Sequence, residues 1–525
     1  MLISTFTFFF FVIAVFILYF IFPKKWRWVV LLASSVVFYA SMDLRYFLYI
    51  GITAVSAYFT ALDQNKLNLL RDETLQRLTD REEKKAARAE FKSKKRRHVG
   101  ACIALNFGIL IILKYTYLLT GEFEPPAFFS NEAGTGLLLP LGISFYTFQT
   151  VGYLVDVYNG KVQPERNFAK FALFVSFFPQ IIQGPISRFD QLAPQLYEGH
   201  DFDFDRMKSG LELVLWGYIK KLVIADLTFA FVWEIVCDYQ DCSGTAIVFA
   251  MLLYSARGFA DFSGGIDIMR GICEVLGITL PSNFRQPYLS RSLSEFWRRW
   301  HITLGEWFKD YVFFPLATSK PYNALGRLLR KKFSRKTSDR VCTSVVSLIT
   351  FVLIGMWHGN SWGYVVYGFW HGLIIAISTM LTDVFPIIYK KLHINPEGWY
   401  WKIFQVVRTY ILVVMGLYLV LPLNWLDGVE MLKMSFVGPF QELSTMRNVL
   451  TKYHFYREFP IVMYGIAVMV LSAIPAAFGI NLREKLNKLP FPIQWVILIA
   501  GILYVCVYGA YGEAYDATSF IYQVF

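Results

Sequence analysis

Charge is what this sequence has least of. Asp, Glu, Lys and Arg make up 17% of the 525 residues, whereas 55% are hydrophobic and 49 are phenylalanine. Roughly a quarter of an ordinary soluble chain is charged, so there is too little charge to cover a water-facing surface of this size. Cysteine is also scarce, with six residues at positions 102, 237, 242, 273, 342 and 506, mostly inside apolar runs. That excludes a disulfide scaffold and leaves buried free thiols as the expectation, Cys237 and Cys242 being near enough to pair if both face outward. There is no HExxH and no Cys/His spacing suited to zinc, so no metal site is expected. No internal repeat is visible, and no serine or cysteine nucleophile stands with a triad partner.

Long apolar runs, by contrast, recur along the whole chain. They include Phe6–Phe22, Trp28–Ala40, Phe47–Leu62, Val99–Leu119 and Leu137–Val155, then Leu211–Val236, Val345–Met356, Val406–Leu421, Pro460–Ile480 and Trp495–Tyr508. A bilayer span takes about 20 mostly apolar residues. The expected fold is therefore all-α: a polytopic membrane protein of about a dozen transmembrane, re-entrant and in-plane helices. Thr5–Phe22 lacks a basic leader and a small-residue cleavage site, and reads as a retained span. One membrane domain, 1–525, is expected, with N-terminal scaffold spans in 1–138, a core in 139–375 and C-terminal scaffold spans in 376–525.

Basic segments set the orientation. Pro23–Arg27, the polar loop 63–98 ending in Lys94, Lys95, Arg96 and Arg97, and Lys320–Arg340 all belong on the cytoplasmic side by the positive-inside rule. The N-terminus and the acidic loop Glu122–Glu132 are then extracytoplasmic. These loops account for the net charge of +12, which is not read as a nucleic-acid surface. The partner implied is the lipid bilayer of a cell membrane.

Polar residues inside such a chain are costly and therefore informative. They concentrate in the middle third, in FFPQIIQGPISRF (Phe177–Phe189, with Gln183), FADFSGGIDIMRG (Phe259–Gly271) and LSEFWRRWHITLGEWFKDYVFFPL (Leu293–Leu316). Broken or charged segments at membrane depth persist only against protein or a water-filled cavity, so a central polar chamber is expected. On one helix, Trp297, His301, Leu304 and Phe308 would share a face. An interfacial helix with His301 as an ordinary boundary residue fits that segment as well as a functional one does. The glycines of DFSGGID suggest a helix break, with Asp261 and Asp267 satisfying freed backbone groups or pairing with Arg257 and Arg270. His358, in GMWHGNSW, closes an apolar run, and a neutral imidazole there is suited to accepting a proton. Gly355 and Gly359 beside it would admit a second backbone or a substrate. His371 lies 13 residues further on and is expected to be scaffold.

The order of these motifs resembles the membrane-bound O-acyltransferase (MBOAT) family, in its bacterial alginate O-acetylase-like branch. The stretches that carry it are LPLGISFYTFQTVGYLVDVY, FPQIIQGPISR, GYIKKLVIAD, DFSGGIDIMRG, NFRQPYLSRSLSEFWRRWHITLGEWFKDYVFFPL and WHGNSW with YGFWHG, followed at the C-terminus by SFIYQVF. The resemblance implies a catalytic core over 139–375 in which His358 of W-H-G is required for acyl transfer and His301 is the second implicated residue. It implies an acyl thioester used from the cytoplasm, acetyl-CoA first among the choices, with no bound cofactor. The acceptor would be a hydroxyl of an envelope or secreted polysaccharide, or an extracytoplasmic acetyltransferase partner protein. Trp297, Arg298, Arg299, Trp300, Trp357, Asn360, Gln183 and Asp261 are the candidates for donor or acceptor binding. Two alternatives stay open: a D-alanyl transferase acting on teichoic acid, and a proton-coupled glycan or lipid transporter.

Overall fold

The structure, a computed structural model, describes residues 3–120, 127–131, 137–437 and 443–511. Most of the loop Glu122–Glu132 and all of SFIYQVF lie outside the described residues. Among the described residues there is no β-strand, only two isolated bridges between helices. Eight helices among the described residues are long and apolar enough to cross a membrane. The last two bury only 17% and 6% of their apolar windows, so their remaining apolar surface needs lipid. The chain is an all-α polytopic membrane protein.

Internal packing divides the chain into two compact units. The first comprises Met1–Leu211 and Met269–Pro281. It contains α1 (Phe6–Ile21), α2 (Arg27–Ala40), α3 (Tyr46–Arg77), α4 (Arg81–Thr120) and α5 (Ile143–Tyr158). The polar segment 63–98 is not a loop. Its Ala, Glu, Lys, Arg and Leu residues are strong helix formers, and α3 and α4 run through it with only Leu78–Asp80 between them. At 1.5 Å per residue α3 is about 48 Å long, well beyond a hydrocarbon core of about 30 Å, so the hairpin projects from the membrane. Lys95 ties it together, donating to the Asn68 side chain at 2.9 Å.

The FFPQIIQGPISR segment is irregular, as its Pro and Gly residues require. A short helix, Phe178–Gln183, is followed by extended backbone at Gly184. Buried amides satisfy the freed carbonyls: Gln180 donates to Pro185 O at 2.9 Å, and Gln149 donates to Phe174 O at 2.9 Å.

The second unit comprises Glu212–Ile268 and Ser282–Phe525. Its main helices are α6 (Asp226–Cys237), α7 (Gly244–Val275, whose last residues belong to the first unit), α8 (Leu293–Arg299), α9 (Ile302–Phe308), α10 (Arg335–His358), α11 (Trp362–Met380), α12 (Trp399–Leu417), α13 (Glu458–Ala477) and α14 (Phe491–Tyr508). The expected break at DFSGG is absent, because α7 is continuous through it. The glycine serves packing instead. A Cβ on Gly264 would fall 2.9 Å from Gly217 O, and one on Gly217 would fall 2.7 Å from Gly264 O. Two backbones therefore cross where only glycine fits, a common device between membrane helices.

Beside that crossing, a π-helical turn, Ile219–Ala225, carries Lys220 and Lys221 inward. Lys221 Nζ lies 2.7 Å from both Asp226 Oδ1 and Asp261 Oδ1, and all three side chains are fully buried. Lys220 pairs with Asp267 at 2.6 Å and donates to Ser263 at 2.9 Å. Asp261 and Asp267 are thus ion-paired structural groups, as expected, but the cations come from the preceding segment. All six cysteines are free, and Cys242 is buried against the Tyr453 hydroxyl rather than joined to Cys237.

Removing Lys221 takes away the cation that joins two buried carboxylates. Breaking a buried pair this way costs about 3–5 kcal/mol. Lys221→Met is expected to lower the thermal unfolding midpoint of the detergent-solubilised protein sharply. Adding Asp226→Asn and Asp261→Asn should recover most of the loss; a single variant as stable as wild type would show that the triad does not hold this unit together.

Candidate functional site

The segment around His301 is shaped by a clasp between two stretches of backbone. Helix α8 is capped by Ser292, whose Oγ accepts from Glu295 N at 3.2 Å. Glu295 accepts in turn from Arg291 N at 2.8 Å and pairs with Arg299 at 2.6 Å. The helix stops there. Trp300 is extended and bridges to Phe284, and Arg285 N donates to Arg299 O at 2.9 Å. His301 then turns left-handed, with φ 49° and ψ 52°, before α9 begins. A single helical face through Trp297, His301, Leu304 and Phe308 therefore does not exist. The periodicity was genuine, but hydrogen bonding to residues 283–285 overrides it.

Asn283, 1% exposed, makes most of the clasp. Its backbone carbonyl accepts from Ile302 N at 3.0 Å, and its Oδ1 accepts from Thr303 N and Thr303 Oγ1, each at 3.0 Å. Its Nδ2 lies 3.2 Å from His301 Nδ1. The sequence reading missed this residue: one asparagine in a loop has no periodicity, and its only signal was its place in NFRQP ahead of a helix.

His358 arrives from the other direction, as the last residue of α10. A three-residue break, Gly359–Ser361, separates it from α11, and the two helices pack as a hairpin. Small residues make that packing possible. A Cβ on Gly355 would overlap the Tyr364 carbonyl, and one on Gly359 would overlap the Tyr364 ring. The result brings the imidazoles of His301 and His358 to 6.1 Å between ring centroids. Trp357 lies 5.6 Å from the His301 ring, and Phe262 meets that ring edge-on at 4.7 Å. His358 also lines a cavity of about 90 Å³ with Tyr254, Tyr288, Trp300, Tyr364 and Tyr367. His301, which lies outside the eight spans, is held well below the usual imidazole pKa by burial, and the neighbouring His358 acts in the same direction. It is therefore neutral at physiological pH.

The remaining candidates separate. Trp300 reaches the cavity. Trp297 packs instead against Phe351 and His371, at 5.5 and 5.3 Å. Arg298 and Asn360 are exposed, while Arg299 is engaged with Glu295. Asp261 is occupied by Lys221. Gln183 belongs to the first unit, where it is fully buried with no hydrogen-bond partner among the described residues. His371, also fully buried, sits between Tyr367 at 4.5 Å and Trp297, with Gly416 closing over its Nε2. It packs as scaffold.

An all-helical membrane fold with two neighbouring histidines, one of them lining a small aromatic cavity, defines a class of polytopic membrane proteins with a buried polar site. Residues 165–420 match the family model described as MBOAT, membrane-bound O-acyltransferase family, so this part of the chain is an MBOAT domain. It is 34% identical over 282 residues to a probable alginate O-acetylase of Pseudomonas syringae pv. tomato, covering 54% of this chain and 49% of that protein. It is 29% identical over 391 residues to a peptidoglycan O-acetyltransferase of Helicobacter pylori, covering 68% and 64%. It is also 30% identical over 253 residues to a teichoic acid D-alanyltransferase of Streptococcus thermophilus, covering 47% and 58%. The matched region thus spans about half the length of the alginate O-acetylase relatives.

The glycine contacts make a direct test. Gly355→Ala forces α10 and α11 apart beside His358, and overpacking of this kind costs about 1–3 kcal/mol. The unfolding midpoint is expected to fall. Gly51→Ala, in α3 with nothing within 4 Å of the added carbon, should leave it unchanged or raise it slightly. Equal midpoints for the two variants would contradict the close crossing.

Proposed function

We propose that this protein is an O-acyltransferase that moves a short acyl group, acetyl first of all, from a cytoplasmic thioester to a hydroxyl on an envelope or secreted polysaccharide. His358 is the general base. It takes the acceptor hydroxyl's proton as the new O–C bond forms at the thioester carbonyl. The tetrahedral oxyanion collapses, the C–S bond breaks, and the departing thiolate takes the proton back from His358. The co-substrate is an acyl thioester such as acetyl-CoA.

The observation that carries this reading is the position of His358, at a helix end, on a small cavity and beside a second imidazole. Cavity size bears on the acyl group. A cavity of about 90 Å³ suits a short, two- to three-carbon acyl group. Position bears on access. With Lys320–Arg340 cytoplasmic, His358 stands about 35 Å along α10 from Arg335, near the far side of the membrane. In this orientation, with the N-terminus outside, the acceptor approaches from the exterior and the donor threads in from the cytoplasm. The relatives named for alginate and peptidoglycan O-acetylation support a polysaccharide acceptor. An exported acetyltransferase taking the acetyl group onward is the relay form of the same chemistry.

The relative named for D-alanyl transfer favours a second reading, in which the acyl group is D-alanyl and the acceptor teichoic acid. An alanyl group carries an ammonium, and no acidic residue lines the cavity among the described residues. This favours acetyl.

The test expresses wild type, His358→Ala and His301→Ala at equal membrane levels and measures ester-linked acetate and D-alanine on envelope glycans. His358→Ala should reduce acetate about 10²–10⁴-fold, the usual contribution of a positioned base. Wild-type acetate levels in that variant would sink the assignment. D-alanine lost in place of acetate would establish the second reading, and glycan export failing at constant acetate per sugar would make the protein a transporter.

A further inference from the structure

We propose that Asn283 is a positioning residue that locks His301 in the tautomer with its proton on Nε2, making His301 a hydrogen-bond donor to the reacting carbonyl and not a second base. The assignment starts from a backbone group that can only donate. Thr303 N–H lies 3.0 Å from one terminal atom of the Asn283 side chain; facing a donor, that atom is the oxygen Oδ1, and the amide orientation is fixed without reference to His301. The same oxygen accepts from Thr303 Oγ1 at 3.0 Å, which occupies both of its lone pairs. His301 Nδ1 lies 3.2 Å from Asn283 Nδ2 and 3.4 Å from Oδ1. The nearer atom carries hydrogens and has no other acceptor among the described residues, and the farther one is already saturated. Nδ2 therefore donates to Nδ1. An imidazole nitrogen that accepts carries no proton, so in a neutral ring the proton is on Nε2.

The geometry gives this consequence for the reaction. Nδ1 is committed to Asn283, which leaves Nε2 on the opposite edge of a ring flanked by Trp357 and His358. As the acyl carbonyl becomes an oxyanion, the Nε2–H of His301 hydrogen-bonds it and keeps its proton throughout. His358 alone carries the proton from hydroxyl oxygen to sulfur. The two histidines thus have complementary roles, one donor and one base, and the division is made by a residue that touches neither substrate.

The tautomer stands independently of the proposed activity, whereas the donor role rests on the acyl-transfer reading, so the two are measured separately. For the first, protein carrying ¹⁵N-histidine is reconstituted in lipid nanodiscs, and the His301 signals are identified by their loss in His301→Gln. A protonated Nε2 with an unprotonated Nδ1 is expected; a protonated Nδ1 in wild type overturns the proposal, and this spectrum needs no variant at Asn283. For the second, Asn283→Asp replaces the donor by an acceptor of nearly the same shape, drawing the proton to Nδ1. The expected result is kcat lower on the order of 100-fold, as for loss of one oxyanion donor, with KM for the thioester little changed. The loss should be largest at high pH and shrink as pH falls, because the carboxylate favours a charged His301, which carries protons on both nitrogens and so regains its Nε2–H. A folded Asn283→Asp protein with wild-type kcat and pH profile overturns the donor role. A wild-type protein with the expected tautomer but no acyl transfer would refute the proposed function and leave the tautomer assignment intact.

Discussion

The site depends on one backbone constraint, the left-handed turn at His301. A non-glycine residue held there costs roughly 1–2 kcal/mol, and such outliers persist only where the surroundings over-determine them. Here they do. Asn283 accepts from Ile302 N and Thr303 N, Arg285 N reaches Arg299 O, and His301's own carbonyl accepts from Gly305 N at 3.1 Å. Without the turn, α8 would continue into α9 and carry the imidazole around the helix with it. With the turn, α8 ends and the ring is held against Asn283, with its centroid 6.1 Å from that of His358.

The rest of the second unit supports the two sides of that meeting. Gly355 lets α10 and α11 approach until backbone meets backbone, and Gly368 faces it from α11. This fixes the end of α10, and so His358. On the other side, α7 supplies Phe262 against the His301 ring and Tyr254 to the cavity wall. The position of α7 is set in turn by its glycine crossing at Gly217 and Gly264 and by Lys221, which joins Asp261 to Asp226. Charges buried at this depth are tolerable because each is paired.

Much of this was legible in the sequence, for identifiable reasons. Apolar length revealed the membrane fold, since no soluble arrangement accommodates so many runs. The end of an apolar run at Trp357-His358-Gly359 coincides with the end of α10, and Gly355 and Gly359 do admit a neighbouring chain. What was not legible depended on partners distant in sequence. The spacing of Trp297, His301, Leu304 and Phe308 matched a helix, but periodicity cannot register a clasp to residue 283. DFSGG looked like a break because glycine weakens helices in water, whereas glycine in α7 is a packing surface. Lys221 lies 40 residues from Asp261, and nothing local in GYIKKLVIAD indicates that the second lysine turns into the core.

The inequality of the two histidines follows from the same contrast between local and distant structure. His358 sits where a helix ends, so its position is a property of its own segment. His301 sits where a helix is interrupted, so its position belongs to Asn283 as much as to itself. A base must gain and release a proton in every cycle, and a partner holding one nitrogen in a fixed state hinders that. A donor to an oxyanion needs the reverse: a proton that stays, aimed before the charge develops. Under the proposed acyl transfer, the residue held most tightly is therefore suited to stabilising charge, and the one on the open cavity to moving the proton.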